Sequence, residues 1–248
     1  ERNQAPSYRV HLVCPSLPLA APVEDFIGVF SARAAAEVLR LREEYNPDGP
    51  LSLVTDAESV PGAESPRLTV EMKPLGDLTV ALLGDRLVIK SPEGRAVLRS
   101  LDGVGLSVEG VAGPIAFADE PAGRMFADGK FPIVIGSSRG TDDRLTVRLS
   151  DARFECKLVD RVLAERLSPD GHQAYVARKP EGLFDAVFSV TKDGPTRNPG
   201  SESEMRVTAV FEPRTLTLHP GDTPVTFPAM TGQIEIDGGA GVLRSLHA

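Results

Sequence analysis

The sequence predicts a mainly β protein whose antiparallel strands form an elongated curved sheet or β-groove. Tryptophan is absent, and aromatic residues make up only 5% of the 248 residues. Glycine (23 residues) and proline (21 residues) are numerous, which is typical of many short strands joined by turns. Several segments also alternate between apolar and polar residues. This period of two places one face of a strand on an apolar interior and the other face in water.

The alternating segments occur in both halves of the chain. Every second residue is apolar in RLTVEM (67–72), in MRVTAVF (205–211) and in QIEID (233–237). Apolar residues on one face of a sheet need a cover, which is a second sheet, a helix or a ligand. We expect the following residues to line an apolar groove: Leu68, Val70, Met72, Val207, Ala209, Phe211, Ile234 and Ile236.

Each half is also predicted to contain one amphipathic helix. Apolar residues recur at steps of three or four near 24–45 and, as a shorter stripe, near 155–167. A turn of the Pro-acid-Gly kind follows each stripe, at 47–49 and at 180–182, and a strand pattern follows each turn. Proline and glycine end a helix at such a turn.

These matched segments predict a duplicated unit. A Pro-Gly loop rich in Ser and Glu follows in each half, and the tetrad Leu-Arg-Ser-Leu occurs at 98–101 and again at 243–246. The offset grows slightly from one matched pair to the next, as small loop insertions would cause. We therefore predict two β-rich repeats, residues 1–118 and 119–248, with the two tetrads in equivalent strands. Convergent β composition is the competing explanation, because Ser, Glu, Gly and Pro fill loops everywhere.

Charge and hydrophobicity exclude some classes of function. The net charge of −8 would repel phosphate backbones, and the basic residues are scattered, so nucleic acid is not an expected partner. No apolar run approaches the length of a membrane span. Because the chain begins at Glu1 without a signal-like segment, we interpret it as a piece of a longer protein or a mature segment.

No catalytic, metal or cofactor site is predicted. Cys14 and Cys156 have no histidine at metal-ligand spacing, and they are expected as buried free thiols, with a disulfide as the alternative in an oxidising compartment. The segment Gly136–Gly140 matches G-x-S-x-G, but an alternating strand follows it where a nucleophile elbow needs a helix, so it is predicted to be a turn. His172 follows Ser-Pro-Asp-Gly and is also predicted to lie in a turn.

The order helix, Pro-acid-Gly turn, strand and paired closing strands resembles the AsmA-like and TamB-like proteins of bacterial envelopes. The last segment, FPAMTGQIEIDGGAGVLRSLHA (227–248), is the most similar. The residues that carry the match are Phe227, Pro228, Gly232, Ile234, Ile236, Val242, Leu243 and Leu246. The first half matches less well, since Asp77-Leu78-Thr79-Val80 stands where the family has a Phe-Pro pair.

This resemblance implies a long β-groove with an apolar concave face that carries phospholipid between the inner and outer membranes. It implies the periplasm or cell envelope of a diderm bacterium, and it brings no catalytic residues. The implied partners are phospholipid acyl chains and neighbouring repeats of the same chain, with membrane contact only through other parts of a longer protein. The alternative is a structural or adhesive β-sandwich repeat of a large exported protein, whose apolar faces would cover each other.

Overall fold

Most of the chain lies in one open antiparallel sheet, as the alternating patterns predict. The computed structural model describes residues 7–20, 22–29, 32–63, 66–100, 104–135, 144–166, 168–192, 205–221, 223–237 and 240–247. The strands are β1 (Arg9–Pro18), β2 (Pro50–Glu58), β3 (Arg67–Pro74), β4 (Leu78–Leu82), β5 (Asp85–Ile89), β6 (Glu93–Ser100), β7 (Val104–Phe117), β8 (Glu120–Ile135), β9 (Arg144–Arg153), β10 (Leu183–Lys192), β11 (Met205–Pro213), β12 (Leu216–Leu218), β13 (Val225–Phe227), β14 (Thr231–Asp237) and β15 (Ala240–His247). The helices are α1 (Val23–Gly28), α2 (Ala32–Tyr45), α3 (Lys157–Arg166) and α4 (Pro169–Arg178).

The strands follow the order β1-β2-β3-β6-β7-β8-β9-β10-β11-β14-β15 across the sheet. The hairpin β4–β5 lies off this path and joins it through β5, which pairs with the second half of β7. The strands β12 and β13 form a separate two-stranded sheet. Within the described part of the chain, β1 and β15 form the two edges.

The order of elements occurs twice. In each half a strand leads into two helices, two strands, a small hairpin and two further strands, and β8 connects the halves. The predicted boundary between residues 118 and 119 lies in the tight turn between β7 and β8. Because these two strands pair along most of their length, the sheet continues across that boundary.

Each repeat contains two helices where the sequence predicted one. The first helical stripe is divided between α1 and α2, and α1 ends at Gly28, a residue type that weakens a helix. The turn predicted around His172 is wrong, because His172 lies within α4. Ser168 caps this helix by accepting a hydrogen bond from the Gly171 amide (3.2 Å), and Pro169 occupies its first turn.

The two Pro-acid-Gly turns are equivalent in their backbone bonding. Asp48 exchanges backbone hydrogen bonds with Thr79, and Glu181 exchanges them with Thr217. The carbonyl of Gly49 accepts from Leu19, while that of Gly182 accepts from Phe154. Both glycines have φ values that L side chains rarely adopt, 136° and 131°.

A β-bulge also recurs at the same place in both halves. Where β1 pairs with β2, the register shifts between Cys14 and Leu17. Where β9 pairs with β10, Leu149 lies opposite Ala186 but Ala152 lies opposite Phe184, which is the same insertion of one residue. Composition alone does not place a bulge at equivalent positions, so this detail supports duplication.

The tetrad prediction is wrong. Leu98 lies on β6, but Leu243 lies on β15, and the strand order makes β14 the equivalent of β6. The described parts of the two tetrads therefore lie on strands that are not equivalent, residues 98–100 on β6 and residues 243–246 on β15, which corresponds to β7. A match of four residues is too short to specify a position in the sheet.

Candidate lipid-facing surface

The strand register places all eight predicted groove positions on one face of the sheet. Residues directly opposite each other in antiparallel strands share a face. In the first half Val70 lies between Thr55 and Leu98, and Met72 lies opposite Leu53. In the second half Ala209 lies between Phe188 and Ile236, and Phe211 lies opposite Ile234. The remaining two positions are Leu68 and Val207, which lie opposite Ala57 and Val190.

We call this side the apolar face, and its register is continuous between the halves. Leu98 lies opposite Leu106 on β7, and Val108 two positions further lies opposite Gly129 on β8. Gly129 in turn lies opposite Leu145 on β9, which lies opposite Val190 on β10. Apolar positions therefore follow one another across the strands from β1 to β15.

The opposite side, the polar face, carries charged side chains. Arg95 Nε donates to a Glu109 carboxylate oxygen at 2.6 Å, and its Nη1 donates to Glu71 at 3.0 Å. In the second half the Arg214 guanidinium contacts both Asp151 and Asp185. Each of these surface ion pairs adds little stability, but together they show that this side of the sheet faces solvent.

Helices α1 and α2 cover the apolar face of the first half. Leu68 and Val70 are 0% exposed, and they belong to one buried cluster with Ile27 of α1. Val38 of α2 packs against the same cluster, and Met72 is half-buried beside it. In this arrangement a ligand would reach Leu68 and Val70 only if the helix pair moved away.

A buried ion pair joins the two covering helices. Glu24 in the first turn of α1 pairs with Arg42 near the end of α2, and the Glu24 side chain is almost completely buried. Arg42 also donates to the carbonyl of Ala20 at 3.3 Å. Because leaving either charge unpaired in this buried position would be costly, the contact keeps α1 and α2 together as one unit.

The second helix pair covers a smaller area at one end of the strands. Cys156 and Leu158 at the start of α3 pack with Ile115 and Phe117 of β7. Beside them Phe184 contacts the rings of Phe154 and Phe211, with centroid separations of 4.8 and 5.7 Å. Ala209 is buried, whereas Phe211 is half-buried.

Between the two helix pairs lies a part of the apolar face that we call the central stretch. It consists of Val108, Val147 and Val190 around the buried Leu145. The three valines are half-buried and belong to none of the buried clusters under the helices. They lie on β7, β9 and β10, in the interior of the strand order, and each retains some solvent contact.

An apolar cleft of about 450 Å³ lies at the β1 edge of the sheet. It is lined by Leu12, Val13, Cys14, Leu17, Pro22, Val23 and Leu53. Val13 is 60% exposed, and the unpaired edge of β1 leaves the cleft open. The sequence patterns predict no role for this segment, although Val10, Leu12 and Cys14 fall at every second position and give a partial strand signal, with the apolar Val13 between the last two.

The side chains with nucleophilic or ligating chemistry have structural contacts. Cys14 and Cys156 are free thiols, and burial raises the pKa of the Cys156 thiol, which keeps it protonated. The His172 ring lies 2.9 Å from Asp160 and connects α4 to α3. No group of three or more metal-ligating side chains is found among the described residues. The G-x-S-x-G segment lies outside the described residues.

Tyr175 connects α4 to the sheet, and its removal should cost stability. Its hydroxyl donates to the carbonyl of Phe154 at 2.6 Å, and desolvation raises its pKa above the usual value of 10.0. We expect Tyr175→Phe to lower the free energy of unfolding by about 1 kcal/mol at pH 7. Burial favours the neutral phenol in the folded state but not in the unfolded state. The contribution of Tyr175 to the free energy of unfolding is therefore present below pH 10 and is lost as the pH rises further. Urea unfolding of both proteins at pH 7 and pH 10.5 checks this, and a difference that widens at pH 10.5 would contradict it.

None of the four helices in the described part of the chain has both the length and the hydrophobicity needed to span a membrane. Comparison of the chain with protein-family models, with curated proteins and with solved structures gives no match.

Proposed function

We propose that this chain is a non-enzymatic segment of a cell-envelope protein whose apolar sheet face carries phospholipid acyl chains between membranes. The observation that carries the proposal is the mainly apolar register across an open sheet, in which Thr55 and Gly129 are among the exceptions, with charged residues on the opposite face. An amphiphile on such a surface buries its chains and keeps its headgroup in water at the sheet margin. The periplasm or envelope location follows from the resemblance to AsmA-like and TamB-like proteins.

The burial pattern indicates where acyl chains would first bind. The central stretch and the cleft at β1 are the accessible apolar surfaces, whereas Leu68 and Val70 lie under α1 and α2. Chains on the central stretch would run across the strands, from Val108 toward Val190. Passage over the first half would require the α1–α2 pair, which the Glu24–Arg42 contact keeps together, to leave its apolar contacts with the strands.

The alternative is a structural or adhesive β-sandwich repeat. A sandwich covers its apolar face with a second sheet, and its core consists of side chains from both sheets. Here the described cover consists of helices over part of the face and none over the central stretch. This pattern favours the lipid route.

Aspartate on the central stretch should remove lipid without unfolding the protein. We expect Val147→Asp and Val190→Asp each to abolish copurified phospholipid, because a charge among acyl chains costs several kcal/mol (about 3 or more). Both valines are half-buried, so the folded chain can hydrate the new carboxylates when lipid is absent. Lipid is measured by mass spectrometry of the purified protein, and a photoreactive residue at position 147 should crosslink to it.

Val187→Asp is the matched control. Val187 is a half-buried residue on the same strand as Val190, but it lies on the polar face opposite Arg148. Lipid content should be unchanged in this variant. Absence of lipid from the unaltered protein, together with unfolding of the Val147→Asp and Val190→Asp variants, would favour the sandwich. Wild-type lipid content in both variants would refute the route over the central stretch.

A further inference from the structure

A second cleft, of about 400 Å³, lies on the polar face near the middle of the sheet. Its lining includes two arginines, a serine and an exposed aromatic ring: Arg124, Arg148, Ser150 and Phe126. On the paired strands β8 and β9, Arg124 lies opposite Ser150 and Phe126 lies opposite Arg148. All four residues therefore share one face, and Ala112 on β7, opposite Phe126, leaves space beside the ring.

Within the described part of the chain, neither arginine has an ion pair or a side-chain hydrogen bond. Arg95, by contrast, contacts Glu71 and Glu109. Of the nearby carboxylates, Asp151 and Asp185 both contact Arg214, and Asp128, which lies diagonal to Arg148 on β8, accepts a hydrogen bond from the Gly110 amide.

The electrostatics of this arrangement favour an anion. Diagonal neighbours on adjacent strands lie about 7 Å apart, so the two guanidinium groups can converge on one small group. Two cations at this separation repel each other, and an anion between them removes the repulsion and accepts hydrogen bonds from both. Two arginines that share one cleft and have no carboxylate partner among the described residues therefore form a local positive site in a chain of net charge −8.

We propose that this cleft binds the phosphate group of an organic phosphate, with Arg124 and Arg148 as its ligands. A planar guanidinium can donate two parallel hydrogen bonds to two phosphate oxygens, which is a bidentate contact. The Ser150 hydroxyl offers a further donor in the same cleft. Phe126, 43% exposed, supplies a flat apolar surface for the organic part of the ligand. The site lies on the side of the sheet opposite the lipid route and is independent of it.

The position of the cleft favours a soluble ligand over a lipid headgroup. Strands β8 and β9 lie in the interior of the strand order, far from both edges. A lipid whose chains lie on the apolar face would have to reach around an edge strand to place its headgroup here. The phosphate chemistry is common to both sources, so the experiment uses phenyl phosphate and, separately, vesicles that contain phosphatidic acid.

The test is isothermal titration of phenyl phosphate into the complete chain. Loss of one charge-assisted contact weakens binding by about tenfold or more, so Arg124→Gln and Arg148→Gln should each have this effect. Arg144→Gln is the matched control, because Arg144 is an exposed arginine on the same strand outside the cleft, and it should bind like the unaltered protein. Phe126→Leu should weaken phenyl phosphate more than inorganic phosphate.

The outcomes separate the two ligand sources and the two proposals. Vesicle sedimentation that depends on Arg124 and Arg148 would identify a headgroup as the phosphate source, whereas binding of phenyl phosphate alone would identify a soluble ligand. No measurable binding of either probe, or equal weakening in Arg144→Gln, would overturn the site. The Val147→Asp variant should bind phenyl phosphate normally, so failure of the lipid route leaves this result unaffected.

Discussion

Replacement of Val70 by aspartate should unfold the first half of the sheet. Val70 is 0% exposed between Thr55 and Leu98, and it lies in the cluster that α1 covers with Ile27. A carboxylate there would lose its hydration and have only the neutral hydroxyl of Thr55 opposite it, so we expect the free energy of unfolding to fall by about 4 kcal/mol or more. Urea unfolding followed by far-ultraviolet circular dichroism measures the loss.

Thr69→Asp is the matched control for this prediction. Thr69 precedes Val70 on β3, but it lies half-buried on the polar face between Asp56 and Arg99. A new carboxylate there is repelled by Asp56 and attracted by Arg99 in contact with water, so stability should change by less than about 1 kcal/mol. If Val70→Asp were tolerated as well as Thr69→Asp, the helix pair would not be a fixed cover over β3. Val70 would then be available to acyl chains as the sequence pattern predicted.

Periodicity predicted the strands well because a one-sided sheet imposes it directly. RLTVEM lies within β3, MRVTAVF within β11 and QIEID within β14. In each of these segments alternate positions share one face of the sheet, and a period of two in the sequence is the consequence. The mainly β class follows from that pattern.

The helix cover was not predictable from the same signals. The stripe in residues 24–45 indicated an apolar helix face, but which strands it would cover depends on contacts far apart in the chain. The helix α4 was missed because Ser-Pro-Asp-Gly is favourable both for a turn and for the first turn of a helix. The residues after the cap decide whether the segment forms a turn or a helix. None of the described residues of α4 is buried, so an apolar helical stripe gives little signal there.

The candidate surfaces show the same division between local and long-range information. Leu68 and Ala209 lie on the same face of the sheet because of the alternation within each strand and the order of the strands. Only the alternation could be predicted from the sequence. Accessibility of Val147 and burial of Val70 depend on where the helices dock. The arginine cleft depends on the register of β8 with β9, which no local pattern specifies.

Gly182→Ala should be the most damaging single substitution in the turns. Gly182 has φ 131°, and a Cβ atom there would lie 2.2 Å from the Thr215 carbonyl oxygen. The same turn bonds to Phe154 and, through Glu181, to Thr217, so the backbone cannot shift without breaking those bonds. We expect a loss of about 3 kcal/mol in the free energy of unfolding, measured by urea titration.

If the halves are true repeats, Gly49→Ala should cause a loss of similar size. Gly49 has φ 136°, and its Cβ would meet the Asp77 carbonyl oxygen at 2.5 Å. Gly221→Ala is the control, because a Cβ at Gly221 meets no atom within 4 Å, and we expect almost no change. Equal effects of all three substitutions would show that the positive φ values and the close Cβ contacts at Gly182 and Gly49 do not determine the cost. A large effect at 182 with none at 49 would show that the two turns are not equivalent in energy, despite their matching hydrogen bonds.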